Sequence, residues 1–215
     1  MIKAERKKWA LLVFDFYLER LLKKYFKDFR LINSFPEISP ERSLVVAPNH
    51  FSWWDGFFVY FLLKKKTNKK IFIMMLENQL RKYWFFQKIG CFSTNPANKQ
   101  STVATLRYTL ELLENPDNCV VIFPQGEIEP FEKTSLNYNE GIEFLARYSS
   151  KEFDILPVAN KIFYSNEKLP FILTRTDKLI LSSEIKNDKE VLSERFNENI
   201  NQLKNVLSIE GESIF

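Results

Sequence analysis

Apolar and polar residues alternate along the chain in blocks that predict helices and strands in turn. Apolar residues three or four positions apart indicate helices, and short apolar runs between turn residues indicate strands. The expected helices are 4–28, 53–65, 78–88, 100–114, 139–149 and 188–207. The expected strands are 43–48, 70–76, 90–92, 119–123 and 154–158, with one or two more between 160 and 182. This order predicts an α/β fold with a mostly parallel central sheet flanked by helices and with functional loops after the carboxyl ends of the strands.

The chain reads as a single domain over residues 1–215. Its hydrophobic pattern is not interrupted by a linker rich in proline, glycine or serine, and no repeat or low-complexity tract occurs. With 45% hydrophobic residues, a chain of 215 residues can bury one well-filled core.

The first 30 residues predict an amphipathic helix with a basic, aromatic-rich surface. They carry nine Lys or Arg residues against four Asp or Glu residues. Such a helix suits an anionic membrane surface, although it could equally pack its apolar side on the domain and leave its lysines solvated. No secretory signal is recognised, and no run reaches the roughly 20 apolar residues of a spanning helix. We therefore expect a cytoplasmic protein, peripheral on the inner face of the cell membrane.

The composition disfavours two other classes of partner. One histidine and two distant cysteines, Cys91 and Cys119, cannot supply a usual zinc site, so no metal is expected and the thiols read as reduced core residues. The net charge is only +4, and no finger, homeodomain or RNA-binding signature is present. Nucleic acid is therefore not an expected partner.

The single histidine, His50, follows the predicted strand 43–48, and Asp55 follows it by five residues. A carboxylate that reaches one ring nitrogen can fix the tautomer of an imidazole and stabilise the imidazolium, so the other nitrogen can act as a base. Asp55 also has a purely structural explanation, because Ser52-x-x-Asp55 fits a capping box at the start of a helix. No G-x-S-x-G nucleophile motif is present. The pair therefore suggests a base that activates a substrate hydroxyl.

Four short motifs resemble the glycerolipid acyltransferases, the lysophosphatidic acid acyltransferase superfamily. Residues 49–55, NHFSWWD, resemble the family's NH-x-S-x-x-D motif, and residues 123–126, FPQG, resemble its F-P-E-G motif. Residues 90–92 stand where the family has G-x-I/F, and residues 156–158 resemble its V-P-V strand. The resemblance implies transfer of a fatty acyl group from a thioester, acyl-CoA or acyl carrier protein, to a lipid hydroxyl, in phospholipid or other lipid or pigment biosynthesis. No further cofactor is implied.

The resemblance also implies roles for individual residues. His50 would be the general base and Asp55 would orient it, while the backbone at the Gly126 turn could bind the oxyanion. The remaining motif residues would contact substrate. These are Asn49, Ser52, Phe123, Pro124, Gln125, Gly126 and Glu127.

Two departures from the family pattern concern the acceptor. The family usually has an arginine after G-x-I/F and another two residues after the glycine of F-P-E-G, both associated with the acceptor's phosphate. Here Ile128 stands at the second position, between Glu127 and Glu129, and the first region contains no arginine. Acidic side chains repel phosphate, so we expect a lipid-like acceptor without phosphate. The alternatives are a lysophospholipid acyltransferase with an altered acceptor site, a non-catalytic lipid- or pigment-binding relative, and a thioesterase.

Overall fold

The computed structural model describes residues 1–133 and 138–215. The helices in chain order are α1 Lys8–Tyr25, α2 Asp55–Lys66, α3 Glu77–Lys82, α4 Phe85–Ile89, α5 Lys99–Leu113, α6 Gly141–Tyr148, α7 Ser182–Asn187 and α8 Glu190–Lys204. The strands in chain order are β1 Asp28–Leu31, β2 Ser43–Pro48, β3 Lys70–Leu76, β4 Cys91–Thr94, β5 Asn118–Val121, β6 Phe153–Phe163, β7 Phe171–Thr176, β8 Ile180–Leu181 and β9 Glu212–Ser213.

Within these two ranges the strands form one nine-stranded sheet in the order β4-β3-β5-β2-β6-β7-β1-β9, with β8 paired to β6. The five strands from β4 to β6 are mutually parallel, whereas β7 runs antiparallel to β6 and β9 runs antiparallel to β1. The prediction of a mostly parallel sheet in an α/β fold is confirmed. β2 lies centrally and is buried along its whole length, as its unbroken apolar run indicated.

Helices cover both faces of the sheet, and alternate residues of β2 contact different layers. Leu44 and Val46 belong to a cluster with α1 and α2. Val45 and Ala47 belong to a second cluster that includes residues of α5 and α6. The period-two alternation of a strand explains this division. α8 packs over β6 and β7 in a third cluster.

The elements that differ from the sequence prediction depend on distant contacts. The first helix ends at Tyr25 rather than near 28, because the chain then enters β1, which pairs with β7 far along the sequence. The predicted helix 78–88 is divided into α3 and α4 around Tyr83. α4 ends at Ile89 and is followed by Gly90, whose φ is +116° and where a Cβ would lie 2.5 Å from the carbonyl oxygen of Ile71. Only glycine fits that junction without strain.

α1 has two apolar sides with different surroundings. One side is buried against the domain through Ala10, Phe14, Leu18 and Leu22, spaced four residues apart. The other side exposes more than half of each of its large apolar side chains, which are Trp9, Leu12, Val13, Phe16 and Tyr17. No helix in the described ranges is both long enough and apolar enough to cross a membrane.

Candidate active site

The candidate site lies at the carboxyl end of two adjacent parallel strands. β2 leads into the loop that carries His50, and β5 leads into residues 123–126. The two strands are paired in register, with Val46 opposite Val121. Their following loops therefore meet, as the fold rule for open α/β sheets predicts.

His50 and Asp55 are in direct contact. Nδ1 of His50 lies 2.8 Å from Oδ2 of Asp55, whose side chain is fully buried. The imidazole side chain is 23% exposed. Among described residues, its Nε2 has no hydrogen-bond partner. An acceptor on Nδ1 favours the tautomer with the proton on Nδ1, which leaves the lone pair on Nε2.

The Asp55 carboxylate also organises the start of α2. Its Oδ2 accepts the backbone N–H groups of Phe51 and Ser52 at 2.7 and 2.8 Å, and its Oδ1 accepts the hydroxyl of Ser52 at 2.8 Å. Of the two bonds of the predicted capping box, only one forms, in which Asp55 accepts the Ser52 N–H. The Ser52 hydroxyl donates to the carboxylate and does not accept from the Asp55 amide, and the N-cap residue of α2 is Trp54 rather than Ser52. One carboxylate thus binds both the turn before α2 and the imidazole.

Gln125 contacts the backbone of His50 with both ends of its side-chain amide. Oε1 accepts the N–H of His50 at 2.5 Å, and Nε2 donates to the carbonyl oxygen of His50 at 3.2 Å. Nε2 also donates to Oε2 of Glu129 at 2.9 Å. Gln125 is only 3% exposed. We therefore revise its predicted role from substrate contact to support of His50.

The segment 123–126 also supports the ring of His50. Phe123 packs against the imidazole with ring centroids 4.4 Å apart. Pro124 is buried, and the side chain of Asn139 donates to the carbonyl oxygens of Pro124 and Gln125 at 3.1 and 3.0 Å. Gly126 has a φ of +74°, which explains the glycine. Its N–H donates to the carbonyl oxygen of Phe123 at 3.1 Å, so the expected oxyanion donor at this amide is already used within the turn.

Asn49 and Ser52, expected to contact substrate, serve the loop itself. The buried side chain of Asn49 donates to the carbonyl oxygen of Asn160 at 3.0 Å and accepts its N–H at 2.7 Å. This pair of bonds ties the end of β2 to β6. Ser52 donates to Asp55, and its oxygen accepts the N–H of Trp54 at 3.2 Å. Asn49 and Ser52 therefore hold the loop that carries the dyad.

The two glutamates expected beside the acceptor have different surroundings. Glu127 is exposed, and neighbouring Ile128 is 52% exposed. Glu129 is buried, and its carboxylate accepts from Gln125 and forms an ion pair with Lys133. Its charge is thus compensated within the protein. Its contribution to His50 was missed, because sequence spacing gives no sign that position 129 lies beneath the loop.

Comparison with protein families fits this geometry. The family model described as Acyltransferase matches residues 30–161, which is more than half of the chain and includes both motif segments. The chain belongs to the acyltransferase family. A comparison with curated proteins found no match.

The acyltransferase also shares its fold with a solved structure. The crystal structure of the 1-acyl-sn-glycerophosphate (LPA) acyltransferase PlsC from Thermotoga maritima superposes with a TM-score of 0.67. The sequences are 16% identical, and the match covers 94% of this chain and 83% of that chain. At that identity the likeness shows a common fold.

The cysteines of the acyltransferase do not provide a nucleophile. Cys91 and Cys119 are both free and buried. Burial raises the pKa of each thiol to about 12. A thiolate is the reactive form of cysteine, so neither side chain competes with a substrate hydroxyl for the role of nucleophile.

Two surface grooves lie away from the dyad. Their volumes are about 550 and 520 Å³, and one lies between the N-terminal segment and α5 and the other around residues 35–40. The imidazole packs instead on Phe123, which comes from the loop after β5. Trp53, three residues after His50, is 57% exposed and packs on Phe57 with ring centroids 4.9 Å apart.

Proposed function

We propose that this acyltransferase moves a fatty acyl group from a thioester to the hydroxyl of a lipid-like acceptor without phosphate. His50 is the general base and Asp55 orients it. The observation that carries this proposal is the 2.8 Å contact between a fully buried carboxylate and Nδ1 of a partly exposed imidazole. It leaves Nε2 as the ring nitrogen that accepts the proton.

The reaction follows from this geometry. Nε2 of His50 accepts the proton of the acceptor hydroxyl as its oxygen attacks the thioester carbonyl carbon. Asp55 stabilises the imidazolium that forms. The tetrahedral intermediate then collapses, the C–S bond breaks, and the thiol leaves with the proton from His50. The products are an ester and a free thiol, and the histidine returns to its neutral form.

The segment after Gly126 supports an acceptor without phosphate. Its exposed side chains are the acidic Glu127 and the apolar Ile128. Lys133, which follows in the same segment, forms an ion pair with the buried Glu129. An exposed apolar side chain where the family has an arginine cannot bind a phosphate bidentately, which favours a neutral acceptor over an anionic one.

Acyl-CoA or an acyl carrier protein is the proposed donor, with no additional cofactor. Chemistry at a hydroxyl and a thioester needs only a base and a leaving thiol. An acyl carrier protein would be an additional protein partner. Thiol release serves as the common readout for both donors.

A membrane surface is the proposed source of the acceptor. The exposed side of α1 carries five large apolar side chains, and Trp53 of the His50 loop is also exposed. Trp54 packs on Tyr25 and Phe26 with ring centroids 5.4 and 5.3 Å away, so the end of α1 lies beside the His50 loop. Exposed apolar patches of this kind mark interaction sites, and aromatic side chains with nearby lysines suit the interface of a membrane.

Identification of products from a panel of acceptors tests the proposal. The full chain is supplied with acyl-CoA or acyl carrier protein, and with neutral lipid alcohols, glycosylated lipids, lysophosphatidate or no acceptor. Thiol release is followed by a chromogenic reagent and products are identified by mass spectrometry. We expect ester formation with a neutral acceptor and little with lysophosphatidate.

Each alternative has its own outcome in the same experiment. A preference for lysophosphatidate would contradict the phosphate-free acceptor and indicate a lysophospholipid acyltransferase. Free acid at an equal rate without any alcohol would indicate a thioesterase. Lipid binding without thiol release, equally strong in His50→Ala, would indicate a non-catalytic binding protein.

A further inference from the structure

The loop after β5 contains an amide–carboxylate pair that contacts both backbone polar groups of His50. Gln125 accepts the His50 N–H and donates to the His50 carbonyl. The backbone N–H of Glu129 donates to the same carbonyl oxygen at 2.9 Å. The backbone N–H and carbonyl groups of His50 are therefore held by Gln125 and Glu129, two residues four positions apart.

Glu129 determines which way the Gln125 amide points. Its Oε2 accepts from Nε2 of Gln125 at 2.9 Å, and Lys133 pairs with its Oε1. A flipped amide would place an NH₂ group against the His50 N–H and an oxygen against the Glu129 carboxylate. Both contacts would be repulsive, so the network admits one orientation. Both side chains are at most 4% exposed, so water offers little compensation.

We propose that Gln125 and Glu129 are positioning residues whose side chains must be one amide and one carboxylate, and that together they fix the direction of the His50 ring. The inference rests on the proposed role of His50 as a base. The backbone is held by this pair, Nδ1 by Asp55 and the ring face by Phe123. With these contacts in place, Nε2 keeps one direction, and a base is effective only within a narrow geometry.

The substitution Gln125→Glu tests the pair directly. A glutamate can still accept the His50 N–H, but it cannot donate to the carbonyl or, when ionised, to Glu129. Two buried carboxylates in contact cannot both ionise easily. A shared proton would restore the donor towards Glu129 at low pH. The charged groups that these contacts bring together are His50 and Asp55 on one side and Lys133 on the other.

The expected result is a pH-dependent loss of kcat that the exchanged pair reverses. Relative to wild type, Gln125→Glu loses about tenfold or more in kcat near pH 8 and less near pH 6, with KM little changed. The double variant Gln125→Glu/Glu129→Gln recovers most of this loss, because the new amide at 129 donates to the new carboxylate at 125. A loss equal at both pH values, or no recovery in the exchanged pair, would overturn the inference.

Gln202→Glu is the matched control. Gln202 donates to Glu198, also four residues away and also at 2.9 Å, but on the exposed surface of α8. The control makes the same chemical change at the same spacing without touching His50. We expect its kcat to stay within about twofold of wild type, since surface substitutions have small effects. A loss in this control like that of Gln125→Glu would contradict an effect specific to His50.

A second readout keeps the inference separate from the enzymatic proposal. The chain has one histidine, so ¹⁵N-histidine labelling of protein without a histidine tag gives a single pair of imidazole nitrogen signals. Gln125→Glu should shift or broaden these signals near pH 8, and the exchanged pair should restore them. If Gln125→Glu does not fold, Glu129→Gln should still perturb them. Unchanged signals in the folded variants would overturn the inference even if wild type transfers no acyl group.

Discussion

At the scale of single residues, Asp55 combines structural and chemical roles. Four donors surround its buried carboxylate: Nδ1 of His50, the N–H groups of Phe51 and Ser52, and the Ser52 hydroxyl. The same contacts start α2 and orient the base. Removing the carboxylate therefore affects folding and catalysis together, whereas changing only its charge can separate them.

We predict that Asp55→Asn separates these roles. The amide oxygen can accept the three donors now on Oδ2, and the Ser52 hydroxyl can turn to accept from the new NH₂ group. The variant should fold with a small loss of stability, while acyl transfer falls about 100-fold because the charge that stabilises the imidazolium is lost. Urea denaturation and thiol-release rates measure the two effects.

The substitutions Asp55→Ala and Ser52→Ala act as controls for this prediction. Asp55→Ala leaves buried donors without an acceptor, and each hydrogen bond to a charged group contributes about 1.5–3 kcal/mol, so this variant should be severely destabilised. Ser52→Ala removes one donor to the same carboxylate and should lower the free energy of unfolding by about 1.5–3 kcal/mol. Wild-type transfer rates in folded Asp55→Asn would contradict the proposed role of its charge.

At the scale of elements, α1 shows why periodicity alone left two interpretations open. The apolar residues of this helix cover more than one face, so its sequence agrees both with packing on the domain and with an exposed interface. Its inner face packs on α2 and α4 through Phe14. Its outer face carries Phe16, with the guanidinium of Arg20 4.0 Å from the ring centroid, and Lys23 and Lys24 follow in the last turn.

We predict that this outer face binds anionic vesicles. The double variant Phe16→Ser/Tyr17→Ser should lower binding to mixed phosphatidylglycerol and phosphatidylcholine vesicles by about tenfold or more, because each large side chain contributes about 1.5–3 kcal/mol when it leaves water. Vesicle flotation with purified protein measures the change.

Tyr148→Ser provides the matched control for vesicle binding. Tyr148 is 60% exposed, close to the 56% of Tyr17, but it lies on α6 at the opposite face of the sheet. This variant should bind vesicles as wild type does. Equal vesicle binding by wild type and the α1 double variant would show that this face is not the membrane contact.

At the scale of the whole molecule, the sequence predicted the elements that carry local signals. The buried parallel strands, their alternation with helices and the loop position of His50 were all predicted. β1 and β9 were missed, because their pairing is with distant segments and each has too few residues for a periodic pattern. The hydrogen bond directly after β9, in which the N–H of Ile214 donates to the Phe29 carbonyl at 2.8 Å, has no local signature.

The contacts of the candidate site also separate into those that the sequence could predict and those that it could not. Proximity of His50 and Asp55 could be predicted, since five residues at a strand-to-helix junction bring them within reach. The contacts of Asn49 with Asn160 and of Gln125 with Glu129 could not, because they depend on how strands and loops meet in three dimensions. Motif residues were therefore expected at the substrate, whereas several of them hold the loop of the base.

The central claim is that His50 acts as a base, and the rate of acyl transfer by His50→Ala tests it most directly. Thiol release and ester formation are measured with the acceptor that wild type uses, and circular dichroism verifies the fold. We predict a loss of at least about 100-fold in kcat with the fold retained. Ester formation near the wild-type rate in folded His50→Ala would contradict the mechanism.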